Sequence, residues 1–300
     1  MDMTQNKCCR HGASLRRRRC RRRKILRFII FFCSIIAVAV FVAVESRMIT
    51  SGDGGTNRYD VEAGNNTYDN AVIENSKISE KNKIQNNQSM LDDIMNSTQY
   101  PKQLKDLALK NEEALEFVYD YPAEHVKEHT IDLTEEASMD SVPLFVQWDK
   151  RWGYEKYSGN FFAASGCGPT TLSMVVVYLT HNREASPIAV AKYSKEAGYS
   201  VDGSGSSWTL ISEGCIHYGV KAKAVALDES RMKAELDEGH PIVVNVGPGD
   251  FTDTGHFMVI TGYDDEGFSI NDPNSIEKSG KRWLFKNISS QIRAVWSMYV

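Results

Sequence analysis

Between Phe28 and Val44 the chain carries no charged residue, and from Ile49 to about Gln99 it has no sustained apolar period. Cysteine is sparse as well. Of six, Cys8, Cys9 and Cys20 precede the uncharged run, Cys33 lies inside it, and Cys167 and Cys215 follow it. Two cysteines do not make the disulfide framework of a small stapled domain, so the C-terminal body needs an ordinary apolar core. No His, Cys, Asp and Glu cluster has metal-ligand spacing, and no nucleotide-binding motif or repeated wall-binding module is present. His125 and His129, spaced i, i+4, are expected to share a helix face as surface residues, since no third ligand accompanies them. No metal or organic cofactor is therefore expected.

What is present begins with a lopsided charge. Residues 1–27 hold eleven Lys and Arg against one acid, Asp2, leaving −14 on the rest of a chain whose net charge is −4. A basic arm can bind nucleic-acid phosphates, but this one abuts an apolar run, and no nucleic-acid partner is expected. Counted from Ile25, that run is just long enough to span a bilayer as a helix, with Arg27 snorkelling to the headgroups. Positive charge concentrated before it predicts a cytoplasmic N-terminus and an extracytoplasmic remainder. No clean small-residue cleavage site precedes Glu45, which favours a retained signal anchor over a removed signal peptide. The expected organisation is a basic cytoplasmic tail at 1–24, a transmembrane anchor at 25–44 and a flexible Asn/Ser-rich stalk at 45–99. A helical pre-segment at 100–141 and a compact body at 142–300 follow. Within the pre-segment, Leu104 and Leu107, then Leu115 and Val118, predict two short amphipathic helices in need of a partner surface.

The body holds the chemistry. In Ser165-Gly-Cys167-Gly-Pro169, Pro169 suits the first turn of a helix, and Leu172 to Leu179 is apolar on nearly every face. Cys167 then opens a buried central helix, where oriented amides favour a thiolate, and flanking Gly166 and Gly168 leave it approachable. Trp208, Ile211, Cys215 and Tyr218 follow helical spacing, capped by Ser206 or Ser207, which makes Cys215 a small core residue and leaves His217 solvated. Pairing of Cys167 with Cys215 is the alternative for both, disfavoured by their different contexts.

A thiolate nucleophile needs a base, and the base an orienting acceptor. A helix from Glu229 to Glu238 leads into the strand Pro241–Val246, a Gly-rich loop 247–255 expected to be a flexible cleft rim, and a strand opened by His256. The turn Asp264–Gly267 returns the chain toward Asp272. A regular hairpin sets Asp272 opposite Val259, about ten Å along the strand from His256 at roughly 3.3 Å per residue. A bulge, twist or longer turn must close that gap.

Gln147, the Gly-Cys167-Gly-Pro segment, Gly255-His256-Phe and Asn271-Asp272-Pro together resemble the C39-like peptidases, a papain-like family, over roughly residues 142–300. The resemblance implies an α+β papain-like fold, with a central buried helix packed on an antiparallel sheet. It also implies a catalytic Cys167, His256 and Asp272, with Gln147 donating to the oxyanion. Gln147 precedes Cys167 by twenty residues, so the loop carrying Trp148 and Trp152 must fold back. The leader-processing role of transporter-fused members is not carried over, because their transporter module is missing from this sequence. The expected function is a membrane-anchored, extracytoplasmic cysteine peptidase acting on peptide or protein through an acyl-enzyme. Two alternatives stay open: a peptidoglycan amidase or endopeptidase with the same chemistry, and a non-catalytic binding or adaptor protein on the same fold.

Overall fold

The leucine spacing at 104–107 and 115–118 does produce helices. A computed structural model describes residues 66–300, in which α1 (Asn66–Asn96) is followed by α2 (Lys102–Lys110) and α3 (Leu115–Tyr119). Asn111 links the last two, its side chain accepting from the Glu113 N–H to start a single 3₁₀ turn. The expected anchor at 25–44 and the expected tail at 1–24 lie outside the described residues. So does the stalk up to residue 65; its remainder to residue 96 is helical rather than irregular. Met90, Leu91 and Ile94, near the end of α1, pack into a cluster with Leu104, Leu107, Leu115, Phe117 and Val118. Tertiary packing of this kind overrides a polar composition. Asn70–Val300 form one compact unit.

After the pre-segment the hairpin β1 (Lys156–Tyr157) and β2 (Asn160–Phe161) delivers the chain to α4 (Cys167–Thr180). Residues Gly168–Val177 of α4 are continuously buried, as an all-round apolar helix requires. Helix α5 (Pro187–Glu196), capped by Ser186 and opened by Pro187, packs beside it. A second small hairpin, β3 (Ser200–Val201) with β4 (Gly205–Ser206), lies over the start of α4.

The remaining chain builds a six-stranded antiparallel sheet in the order β5-β10-β6-β7-β8-β9. Its strands are β5 (Lys221–Ala224), β6 (Ile242–Val246), β7 (His256–Asp264), β8 (Gly267–Asn271), β9 (Arg282–Trp283) and β10 (Ile292–Tyr299). Helix α6 (Glu229–Asp237), capped by Asp228, precedes β6, and the single turn α7 (Ile276–Ser279) follows β8. Every residue of β6 is buried, because the sheet is covered on both faces. Val243, Phe257 and Val259 face the cluster around α4, while Ile242, Val244, Met258 and Ile260 face Met232 of α6. The α+β architecture with a buried helix on an antiparallel sheet agrees with the sequence-based expectation.

Candidate active site

Cys167 sits at the first position of α4, after the short helix Phe162–Ser165. The two flanking glycines do more than expose the thiol. A Cβ at Gly166 would lie 2.6 Å from the Phe162 ring, and one at Gly168 would lie 2.6 Å from Ser206 Oγ. They are therefore close-approach positions that let the Phe162 ring and β4 pack tightly around Cys167. One turn into the helix, Thr171 Oγ1 donates to the carbonyl of Phe257 at 3.1 Å, fixing α4 against the start of β7. The N–H of the same Phe257 is directed at the thiol, as is that of Gly168.

His256 opens β7 opposite Val246, and its carbonyl accepts from Asn245 Nδ2 at 3.2 Å. Its Nε2 meets Asp272 Oδ1 at 2.6 Å, with the imidazole nearly buried and the carboxylate wholly so. The expected register gap closes through a bulge. Pairs Asp264↔Gly267 to Gly262↔Ser269 run regularly, but the register shifts before Ile260↔Ile270 and Val259↔Asn271, so Thr261 is the extra residue. That shift moves Asp272 one position closer to His256, and the side chains span the rest. Asp272 Oδ1 also accepts from the Asn274 N–H at 2.8 Å, while its backbone N–H donates to Ser279 Oγ. With Nε2 committed to Asp272, Nδ1 is left to exchange a proton with Cys167.

The electrostatics follow from this arrangement. Burial alone would lower the pKa of His256, but the charge and hydrogen bond of Asp272, with the Cys167 contact, push it up to about 10. Burial likewise opposes the Cys167 thiolate, yet the imidazole's hydrogen bond and charge and the two backbone N–H groups bring the thiol below its ordinary value. Both shifts favour a thiolate beside an imidazolium. Burial, and then the charge of Cys167, also raise the pKa of the Tyr157 phenol. That phenol is hydrogen-bonded to Ser194 at 2.8 Å and Ser206 at 2.6 Å.

Gln147 is buried beside the entry to α4. Its Nε2 donates to the Ala163 carbonyl at 2.7 Å, and its backbone N–H donates to the Pro273 carbonyl at 2.7 Å. The Ala163 acceptor fixes the orientation of the amide, since only the NH₂ end can pair with it, and the second amide hydrogen stays available. The loop after Gln147 folds back as expected. Trp152 is buried edge-to-face on Phe145, and Trp148 donates through Nε1 to the Asn274 carbonyl at 3.2 Å. Both tryptophans close core edges.

The description of this family's model, the Peptidase_C39 like family, matches the chain over residues 139–300, more than half of its length. The chain belongs to the C39-like peptidase family. No curated protein matches it. Similar solved structures include the peptidase domain of Streptococcus ComA, described as a bi-functional ABC transporter involved in a quorum-sensing pathway, at 20% identity. That likeness covers 45% of this chain and 90% of that one, with a TM-score of 0.36. A putative C39-like peptidase from Bacillus anthracis is 16% identical over 53% of this chain and 95% of that one, with a TM-score of 0.34.

At this C39-like domain the cysteine expectations hold and several others change. Cys215 and Cys167 are both free thiols, as their different contexts favour. Cys215 is fully buried, and burial raises its pKa to about 11. Trp208 is 47% exposed and so leaves the apolar face shared by Ile211 and Cys215, because the helix there is a short α-turn, Thr209–Ser212, followed by the 3₁₀ segment Gly214–Tyr218. His217 is exposed but stacks on Tyr193, ring centroids 4.1 Å apart. His125 and His129 share no helix face, since the helix ends at Glu124. Loop 247–255 is not a free rim. Phe251 is buried against Trp283, and Gln291 clasps Asp250 through both ends of its amide. Thr171, Asn245 and Tyr157 were not singled out in the sequence. Only Thr171, spaced i, i+4 from Cys167, carried a usable signal.

Proposed function

We propose that the chain is a membrane-anchored, extracytoplasmic cysteine peptidase that hydrolyses peptide bonds through Cys167, His256 and Asp272. The observation that carries this reading is the buried His256–Asp272 pair at 2.6 Å, with the imidazole in contact with a thiol of lowered pKa at a helix start. The Cys167 thiolate attacks the scissile carbonyl carbon, and the carbonyl electron pair moves onto oxygen. The Cys167 N–H and the Gln147 amide stabilise that oxyanion. As the tetrahedral intermediate collapses, the His256 imidazolium gives its proton to the departing amine, leaving a thioester. Neutral His256 then takes a proton from water as it attacks the thioester, a second tetrahedral intermediate expels the thiolate, and the acid product leaves. Asp272 holds the imidazole and stabilises its charged form throughout.

Location rests on the uncharged run at 28–44 and the ten net positive charges before it. Protease added to intact cells should remove the body while sparing the tail; a body protected until lysis contradicts the orientation. Activity is tested by incubating wild type and Cys167→Ala with a peptide library and, separately, with peptidoglycan. Cleavage of peptides by wild type alone supports the peptidase. Cleavage undiminished in the alanine variant contradicts this site, and release of stem peptides only would replace the peptidase with a wall hydrolase.

A further inference from the structure

The loop that carries Asp272 is held in part from outside the family-matched region. Glu113, in the turn between α2 and α3, accepts from Ser275 Oγ, from the Ile276 N–H at 2.7 Å and from the Glu277 N–H at 3.1 Å. Those two N–H groups open α7, a helix of one turn with no length to stabilise itself. Asn111 Nδ2 donates to the Asn274 carbonyl at 2.9 Å, a carbonyl that Trp148 also reaches. Inside the domain the same loop is tied by Pro273 to the Gln147 N–H, and by Asn271 Nδ2 to the carbonyls of Val142 and Pro143. Glu113 and Asn111 thus complete a set of bonds reaching Asn271, Pro273, Asn274, Ser275, Ile276 and Glu277. Asp272, the one acceptor for the His256 Nε2 proton, is suspended between them. The pre-segment also packs Leu104 and Phe117 with Phe161 and Ala163 on the approach to Cys167. One element therefore touches the supports of both the nucleophile and the orienter.

We propose that Glu113 and Asn111 are positioning residues of the active site, acting through the 273–277 loop to set the Asp272 carboxylate against His256. This rests on the Cys167–His256–Asp272 reading above. Displacing Asp272 weakens its hold on the imidazolium, and a weaker imidazolium leaves the Cys167 thiolate less favoured. Glu113→Gln removes the negative charge from an acceptor of three donors, and Asn111→Ala removes only neutral hydrogen bonds. Glu112, whose carboxylate is paired to Asn87 and does not reach the loop, supplies the control Glu112→Gln.

The test uses the full-length protein, alkylated with iodoacetamide across a pH series and read at Cys167 by peptide mapping. Glu113→Gln and Asn111→Ala are expected to move the acid limb of Cys167 alkylation upward by about half a pH unit or more, roughly threefold slower reaction on that limb. Glu112→Gln should follow wild type. If both loop variants keep the wild-type acid limb while melting at lower temperature, the pre-segment contributes stability alone and the proposal is overturned. Should Glu113→Gln fail to fold, Asn111→Ala decides between the same two results. A wild-type profile that coincides with that of His256→Ala is a different outcome: it overturns the underlying catalytic reading as well.

Discussion

Cys167 and Cys215 are two thiols on neighbouring helices whose surroundings drive them apart. Burial dominates at Cys215 and pushes it up to about 11, whereas at Cys167 an imidazole and two backbone N–H groups outweigh the same penalty. In the folded state Asp272 and the thiol hold His256 protonated, and the imidazolium brings Cys167 below its ordinary 9.0. The two shifts oppose each other in stability: the raised His256 pKa gives stability that is lost as pH rises above 6.5, and the lowered Cys167 pKa gives stability that is gained as pH rises toward 9.0. Cys167→Ala unmasks the histidine. Its raised folded pKa gives stability that is fully present below 6.5 and lost as pH rises through the folded value. Urea unfolding of Cys167→Ala across a pH series should show a downward slope beginning near 6.5 and a larger total loss of stability by about pH 9 than wild type. Equal slopes would mean that the thiol does not share the proton. For turnover, His256→Ala should lower kcat/KM on any cleaved peptide by about 10²–10⁴-fold, the usual worth of a general acid–base group.

At the scale of elements, the start of α4 is fixed by what packs over it. Gly168→Ala drives a methyl into Ser206, with Oγ at 2.6 Å and Cβ at 2.8 Å, so β4 must retreat from Cys167. The expected loss is about 1–3 kcal/mol, as for overpacked cores, measured as a fall in the denaturant midpoint. Adding Ser206→Gly, which removes both atoms, should recover most of it. The buried helix was legible in the sequence because Leu172 to Leu179 is apolar on nearly every side, and β6 because its residues, Asn245 apart, are apolar without alternation. The bulge at Thr261 was not legible. Nothing in Val-Ile-Thr-Gly marks where an extra residue enters a ladder, and one residue decides whether Asp272 approaches His256. The Gly-rich loop 247–255 misled for a related reason: composition reports backbone freedom, while Phe251 and Gln291 supply the anchoring through contacts distant in sequence.

At the scale of the molecule, Asn70–Val300 form one unit in which the pre-segment is part of the structure rather than a spacer. Leu104 is wholly buried in the cluster it forms with Ile94, Phe117 and Val118, so Leu104→Ala should cost about 2–5 kcal/mol. A change in melting temperature within that of exposed Leu109→Ala would show the segment to be loosely attached. The residue types of the site were readable in order along the chain, since Cys, His and Asp in those contexts are uncommon together. Their assembly was not, because Glu113 and Asn111 reach it across some 160 positions through a loop with no signature of its own. The central claim is that Cys167 is activated by His256. It is tested most directly by the rate of iodoacetamide modification at Cys167 near neutral pH, in wild type and in His256→Ala. A thiolate held by an imidazolium predicts markedly faster modification in wild type, and equal rates in the two proteins would contradict it.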